Sequence, residues 1–195
     1  WMHDFLEYMK LDPYFRKYNH TKMNFAMVYA YSENYMLVLS HDEVVHLKCS
    51  MIEKMPGSYE EKFKNLMAGY AFMTGHPGKK LLFMGQDFGQ HREWSEEREL
   101  DWFLLEKEPN HQLQLFVKEL LHLYKSNKCL YEYDCWPEGF EWINADDGDR
   151  SIFSFVRHSA SGKNNMLFVI NFTPVERPDY RVGTTCRRKH TLVLN

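Results

Sequence analysis

The sequence predicts an α/β part followed by an all-β part. Residues 35–39 and 80–84 are continuous apolar segments, which is the pattern of strands buried on both faces. Between them, residues 58–74 have the apolar spacing of a long amphipathic helix. A strand, a helix and a second strand form a βαβ unit, in which the two strands are parallel. Beyond residue 126 the helical period gives way to short strand-like segments separated by turn signals.

Four helices are predicted in the α/β part from apolar residues at helical spacing. They cover residues 2–10, 24–33, 58–74 and 111–125. Asp12 and Pro13 should end the first helix, because proline restricts the backbone of the residue before it. Ser58 and Glu61 have the spacing of a capping box, so the third helix should begin there.

The all-β part is predicted from two short strands and from the turns around them. Residues 151–156 alternate polar and apolar side chains, and residues 166–172 are rich in strand-forming types. The final residues, 191–194, are also strand-like. Turn signals occur at residues 146–148, 161–163 and 174–178.

The change of period sets the predicted domain boundaries. Residues 1–126 form the α/β part, residues 127–136 a linker and residues 137–195 the all-β domain. The chain begins at Trp1 without an initiator methionine and stops directly after a strand-like segment. We therefore expect both ends to be cuts in a longer protein.

Charge and composition exclude several classes of partner. The net charge is −3 over 195 residues, so neither a nucleic acid nor a membrane surface is an expected partner. We find no apolar run of about 18 residues and no signal peptide. The cysteines lack the spacing of a zinc site and the density of a disulfide scaffold, which predicts free thiols in a reducing cytoplasm. They are Cys49, Cys129, Cys135 and Cys186.

Polar side chains follow each of the two apolar strands. His41, Asp42 and Glu43 come after the first strand, and Asp87 and Gln90 come after the second. In parallel α/β barrels catalytic residues lie at the carboxyl ends of the strands, so we expect the two clusters to open on the same side. Considered without its neighbours, Asp42 is equally compatible with a helix-capping role.

Two histidines near the first cluster, His41 and His46, suggest a zinc site as a further alternative. They are five residues apart, whereas a metalloprotease helix needs a spacing of four with a glutamate next to the first histidine. We therefore expect no metal here.

The amino-acid sequences of these clusters resemble those of a known family. Residues 39–46, Leu-Ser-His-Asp-Glu-Val-Val-His, are similar to the last conserved region of the α-amylase superfamily, in the form found in α-glucan branching enzymes. The similarity covers nearly the whole chain. The other matching segments are residues 1–4, 54–57, 76–85, 92–94, 100–102, 137–143 and 171–175.

The resemblance implies the C-terminal part of a (β/α)8 TIM barrel, followed by a truncated C-terminal β-sandwich domain. Residues 36–40 would be strand seven of the barrel, and residues 80–85 strand eight. In this superfamily the nucleophilic aspartate and the acid/base glutamate follow strands four and five. Both would lie upstream of Trp1, so the chain alone is expected to be inactive.

The resemblance also assigns roles to residues that are present. Asp42 would be the catalytic carboxylate that stabilises the transition state, and His41 would donate a hydrogen bond to the same sugar. Glu43, Lys48 and Trp94 would contact the substrate. The implied substrate is an α-1,4-glucan such as glycogen, in which the complete enzyme would form α-1,6 branches. The implied chemistry uses no metal and no organic cofactor.

Three positions depart from the family pattern. Leu47 and Cys49 stand where glycines are expected, and Asp87 stands where a glutamate is more usual. A side chain in place of glycine restricts the backbone of the loop near Lys48.

Two alternatives to a branching enzyme follow from the same residues. One is another enzyme of the superfamily, such as a trehalose-forming hydrolase that passes the intermediate to water; the continuation Val44, Val45 and His46 favours branching. The other is a noncatalytic glucan-binding domain, which binding of amylopectin by residues 137–195 alone would support.

Overall fold

The computed structural model describes residues 1–185, 187 and 189–195. Cys186, one of the predicted free thiols, and Arg188 lie outside the described residues. The helices are α1 (Met2–Lys10), α2 (Pro13–Arg16), α3 (Thr21–Asn24), α4 (Tyr59–Gly75) and α5 (Glu108–Ser126). The strands are β1 (Met36–Leu39), β2 (Lys79–Leu82), β3 (Phe140–Asp147), β4 (Ile152–Arg157) and β5 (Met166–Asn171). No described helix has the length and apolar character needed to cross a membrane.

The predicted βαβ unit is confirmed. β1 pairs with β2 in parallel, from Met36 opposite Lys79 to Leu39 opposite Leu82, and α4 lies between the two strands in sequence. The burial expected on both faces is not found. Leu37 and Leu39 are buried, but Met36 is 52% exposed, because the described part of this sheet has only two strands.

The capping box at the start of α4 is also confirmed. The Glu61 amide donates to Ser58 Oγ at 3.5 Å, and the Ser58 amide donates to Glu61 Oε2 at 2.7 Å. The Ser58 amide thereby lowers the pKa of the Glu61 carboxyl group. These bonds satisfy main-chain donors that have no partner inside the helix, and they fix where α4 begins.

The helix predicted at residues 24–33 is wrong. The chain instead forms α3 and a single 3-10 turn, Phe25–Val28, followed by irregular turns. Phe25 is 55% exposed and Val28 is 78% exposed, and Ala26 and Ala30 are buried but small, so the segment has no large buried apolar face. Without such a face, a short segment gains too little from packing to remain helical.

The all-β part is a single antiparallel sheet in the order β3, β4, β5. All six residues of β4 are buried, whereas the sequence alternation indicated one wet face. β3 was not predicted, because its outward residues are polar and its register shifts after Trp142 and Asn144. The strand-like residues 191–194 form no strand, and the second sheet of a sandwich is not found among the described residues.

One aromatic core joins the α/β part to the C-terminal sheet. The ring of Phe72 on α4 lies 5.6 Å from that of Phe153 and 5.8 Å from that of Phe155, both on β4. Tyr8 on α1 lies 5.5 Å from Phe172. The two parts therefore bury their apolar surfaces against each other, while the boundaries at residues 126 and 137 stay predictions.

Buried charges cross the same interface. Arg157 at the end of β4 is fully buried and pairs with Asp134 at 2.9 Å. The Arg157 guanidinium also donates to the carbonyl oxygens of Gly75 and Gly139, at 2.9 and 3.0 Å. The segment predicted as a linker thus supplies a buried carboxylate, and it contains a 3-10 turn with Cys129 and Leu130 in the core.

Candidate active site

The candidate site begins where β1 ends. Ser40 leaves the strand in an extended conformation, and His41–Glu43 form a 3-10 turn directly after it. The Asp42 side chain is 66% exposed, and its Oδ1 lies 3.1 Å from His41 Nε2. Ser40 Oγ is 3.4 Å from Asp42 Oδ2. The turn therefore presents a solvent-accessible carboxylate with an imidazole beside it.

The capping alternative for Asp42 is wrong. A capping carboxylate accepts a hydrogen bond from a main-chain amide two or three residues on. The Asp42 carboxylate contacts only the His41 and Ser40 side chains among the described residues. Its oxygens are therefore not used to hold the backbone of the turn.

Lys48 holds the turn from the opposite side. Its Nζ donates to the main-chain oxygen of Asp42 at 2.7 Å and lies 3.6 Å from Glu43 Oε1. Glu43 is buried, with 10% of its side chain exposed, so little of its carboxylate is accessible to a ligand. Within the described residues, Glu43 and Lys48 form a support under Asp42.

Two aromatic rings lie beside His41. The ring centroid of His41 is 5.8 Å from that of Phe83 and 6.4 Å from that of Trp94. Phe83 and Trp94 contact each other edge to face at 5.1 Å, and the Trp94 amide donates to the Val44 oxygen at 3.0 Å. Trp94 is therefore attached to the turn through both its ring and its main chain.

The segment after the turn has a strained backbone at the positions where glycines were expected. Leu47 has φ 67° and Cys49 has φ 66°, and His46 before them has φ 56°. Residues that carry a side chain rarely adopt this left-handed backbone conformation, whereas glycine adopts it without steric cost. At Leu47 and Cys49 the departure from the family pattern therefore concerns the side chain alone, because the backbone keeps a conformation that suits glycine.

The carboxylate of Glu93 fastens this strained segment. Its Oε2 accepts from the Leu47 amide at 3.1 Å, and its Oε1 accepts from the Cys49 amide at 2.7 Å. These two donors lower the pKa of the Glu93 carboxyl group, which therefore stays charged. Sequence reasoning assigned no role to Glu93, because hydrogen bonds to main-chain amides leave no pattern in the sequence of the partner segment.

The polar residues after β2 divide between two places. Gln90 is buried and lines a small cavity together with Val44 and Trp94, but no residue of the first cluster lines that cavity. Its Oε1 accepts from the Asp101 amide at 3.0 Å. Asp87 instead lines a separate cavity against α5, so the two polar residues after β2 do not share a cavity, and the opening of both clusters on one side stays a prediction.

Neither a metal site nor a large cavity coincides with these residues. Within residues 1–185, 187 and 189–195, no three His, Cys, Asp or Glu side chains are grouped to hold a metal ion. A cavity of about 710 Å³ lies between α2, α4 and the C-terminal sheet, and none of the predicted site residues lines it.

Comparison with known proteins defines first the class of the chain. Residues 142–195 match the family described as the alpha amylase C-terminal all-beta domain. This part of the chain is therefore similar to the C-terminal domain of α-amylases, which agrees with the antiparallel sheet that it forms.

The most informative relatives are 1,4-alpha-glucan branching enzymes named GlgB. The chain is 60% identical over 195 residues to that of Butyrivibrio fibrisolvens, covering all of this chain and 30% of the relative. It is 54% identical over 183 residues to that of Aquifex aeolicus, covering 94% of this chain and 29% of the relative. It is 50% identical over 196 residues to that of Pseudomonas putida, covering 100% of this chain and 26% of the relative. The chain is homologous to these branching enzymes over its whole length and spans less than a third of the length of these curated relatives.

Proposed function

We propose that the chain is the C-terminal part of an enzyme that cleaves an α-1,4-glucan and transfers the released segment to a 6-hydroxyl group, forming an α-1,6 branch. The observation that carries this proposal is the free Asp42 carboxylate at the carboxyl end of β1. The names of the relatives, which match over the whole chain, favour branching over the trehalose-forming alternative.

Asp42 would act on charge that develops during the reaction. Retaining glycoside chemistry needs a nucleophile and an acid, about 5 to 5.5 Å apart, and passes through an oxocarbenium-like transition state. We place these two groups on the part of the enzyme upstream of this chain. A third carboxylate that grips the sugar next to the reacting carbon stabilises that positive charge more than it stabilises the ground state.

The neighbours of Asp42 would orient it and the sugar. His41 Nε2, at 3.1 Å, can hold one carboxylate oxygen while the other faces the substrate. Trp94 and Phe83 supply apolar edges against which a sugar ring can pack. Lys48 and Glu43 would contribute through the support they form under the Asp42 main chain, with Lys48 half exposed toward a bound glucan.

We further propose that β1 and β2 are strands seven and eight of a (β/α)8 barrel. Their parallel pairing and the long helix between them in sequence support this. Residues 1–126 would then belong to the barrel, residues 127–136 would connect it to the next domain, and residues 137–195 would begin that domain. We also propose a cytoplasmic location and a role in glycogen synthesis, with chemistry that needs no cofactor; the unpaired state of the described cysteines fits a reducing compartment.

The test is an Asp42→Asn substitution in the complete enzyme that contains this chain. Because asparagine keeps the size of the side chain and removes its charge, kcat for branching should fall by about 10²- to 10³-fold with the fold intact. Asp149→Asn, at an exposed turn remote from the site, is the matched control and should leave turnover unchanged. Turnover within a few-fold of the parent enzyme for Asp42→Asn would refute the proposed role.

A further inference from the structure

We propose that Glu93 is a positioning residue for the site around Asp42: its carboxylate fixes the segment 46–49 so that Lys48 can hold the main chain at Asp42. The proposal rests on the function proposed above and extends it to a residue outside the turn that carries Asp42. It is carried by a chain of contacts that runs from Glu93 to Asp42.

The first step in that series of contacts is the pair of hydrogen bonds that Glu93 accepts from the residues on either side of Lys48. The two amides bound by the Glu93 carboxylate belong to Leu47 and Cys49, the residues on either side of Lys48. Charged acceptors make stronger and shorter hydrogen bonds to amides than neutral ones do. One side chain thus fixes the backbone before and after Lys48.

The second step is the instability of residues 46–49 without those two hydrogen bonds. His46, Leu47 and Cys49 all have positive φ, a conformation that L-residues leave unless surrounding contacts impose it. Leu47 is 96% exposed, so packing of its side chain does not hold the backbone in place. Hydrogen bonds from outside the segment are needed, and Glu93 accepts two of them.

The third step leads from the segment to the site. Lys48 Nζ donates to the Asp42 oxygen at 2.7 Å, and the amide of Trp94, next to Glu93, donates to the Val44 oxygen at 3.0 Å. Residues 93 and 94 are therefore hydrogen-bonded to the segment that directly follows the turn, at Val44, Leu47 and Cys49. Lys54 Nζ also donates to the Lys48 oxygen, so loss of the Glu93 carboxylate would loosen the Lys48 backbone and, through it, the main-chain position of Asp42.

The experiment compares Glu93→Ala, Glu93→Gln and Glu97→Ala in the complete enzyme. The Glu97 carboxylate makes no hydrogen bond or ion pair within residues 1–185, 187 and 189–195, so it is the control of the same residue type in the same segment. Glutamine keeps one acceptor oxygen in nearly the same shape, so it should rescue part of the effect and guard against misfolding of the alanine variant.

The first readout is independent of activity. Hydrogen–deuterium exchange of a peptide covering residues 44–51 should be faster in Glu93→Ala, intermediate in Glu93→Gln and unchanged in Glu97→Ala. Unchanged exchange in Glu93→Ala would overturn the proposal at its first step, whatever the effect of the substitution on branching activity.

The second readout is the division between kcat and KM for branching. We expect Glu93→Ala to lower kcat by about 10- to 100-fold with a smaller change in KM, because a displaced catalytic group costs transition-state stabilisation more than binding. Faster exchange with kcat unchanged would overturn the positioning role. The Asp42→Asn variant, run in parallel, separates the two proposals. Full turnover in Asp42→Asn would overturn the proposed function and this inference with it, whereas loss in Asp42→Asn alone would overturn only the role of Glu93.

Discussion

Arg157 and Asp134 form an ion pair of 2.9 Å that is closed to solvent, at the junction between the α/β part and the C-terminal sheet. Each partner has further contacts there. Lys79 Nζ and the Tyr124 hydroxyl each lie 2.9 Å from the second oxygen of Asp134. The pair thus joins β2, α5 and β4 in one hydrogen-bonded group.

Arg157→Met should destabilise the complete enzyme strongly. It leaves the Asp134 carboxylate buried beside the weaker partners Lys79 and Tyr124, and breaking one side of a buried pair typically costs about 3 to 5 kcal/mol. The matched control is Lys22→Met, because Lys22 pairs with Glu7 at the surface, where such bridges contribute under about 1 kcal/mol. Chemical unfolding followed by tryptophan fluorescence measures both. Equal losses in the two variants would contradict the importance of the buried pair.

Leu47→Gly and Cys49→Gly should each stabilise the protein. Both residues hold a positive φ that costs a side-chain-bearing residue about 1 to 2 kcal/mol, which exceeds the entropic cost of about 0.5 to 1 kcal/mol that glycine brings. Lys48→Gly is the control, since Lys48 is not among the described residues with positive φ, and it should destabilise instead. Thermal midpoints of the three variants give the comparison. The same sign in all three would show that backbone strain is not the cause.

Ser58→Ala should lower the free energy of unfolding by about 1 kcal/mol, because the Glu61 amide loses its acceptor at the start of α4. Thermal unfolding at neutral pH measures the loss. Ser32→Ala, at an exposed turn, serves as the control and should cost less.

The capping box also predicts a pH dependence. The pKa of Glu61 is lowered in the folded state from its usual 4.5, so its contribution is complete above that value and is lost as pH falls through the lowered pKa. Glu61→Gln should therefore be less stable than the parent at neutral pH, with the difference shrinking in acid. Melting curves from pH 7 to pH 3 test this, and a difference that stays constant would rule out the ionised carboxylate.

The chain by itself should show no branching activity, since a carboxylate that only stabilises the transition state provides neither a nucleophile nor an acid. It should also self-associate, because β1 and β2 leave strand edges and residues such as Met36 exposed. An iodine-stain assay on amylose and size-exclusion chromatography test the two statements. Branching by the isolated chain at a concentration far below that of amylose would contradict the first statement. A monomer with a sharp two-state melt would contradict the second.

The elements with strong periodicity were predictable from sequence, and the exceptions have physical causes. α4 and the parallel pair were predicted because a long apolar stripe and two apolar runs permit few alternatives. β3 was missed because bulges interrupt its alternation, and residues 24–33 were overpredicted because apolar spacing does not reveal whether a face is covered. Burial depends on what packs against a segment, and a single sequence does not contain that information.

The candidate site shows the same division. His41 and Asp42 were predicted as neighbours because they are adjacent in sequence after a strand, and the geometry brings their side chains within 3.1 Å. Glu93 and Phe83 were missed as parts of the site. Their contacts are made to main-chain amides and to a ring more than forty residues away, which sequence spacing does not encode.

The aromatic core shared by α4 and β4 limits how this protein family can be rearranged in evolution or in the laboratory. A module that can be exchanged between enzymes carries its own core, and its loss leaves the donor's remaining core intact. Here Phe72 and Phe153 belong to different parts of the chain but contact each other directly. A crossover placed between residues 126 and 137 would pair a helix from one parent with a sheet from another. Chimaeras should therefore survive only when both halves of that aromatic contact are inherited together.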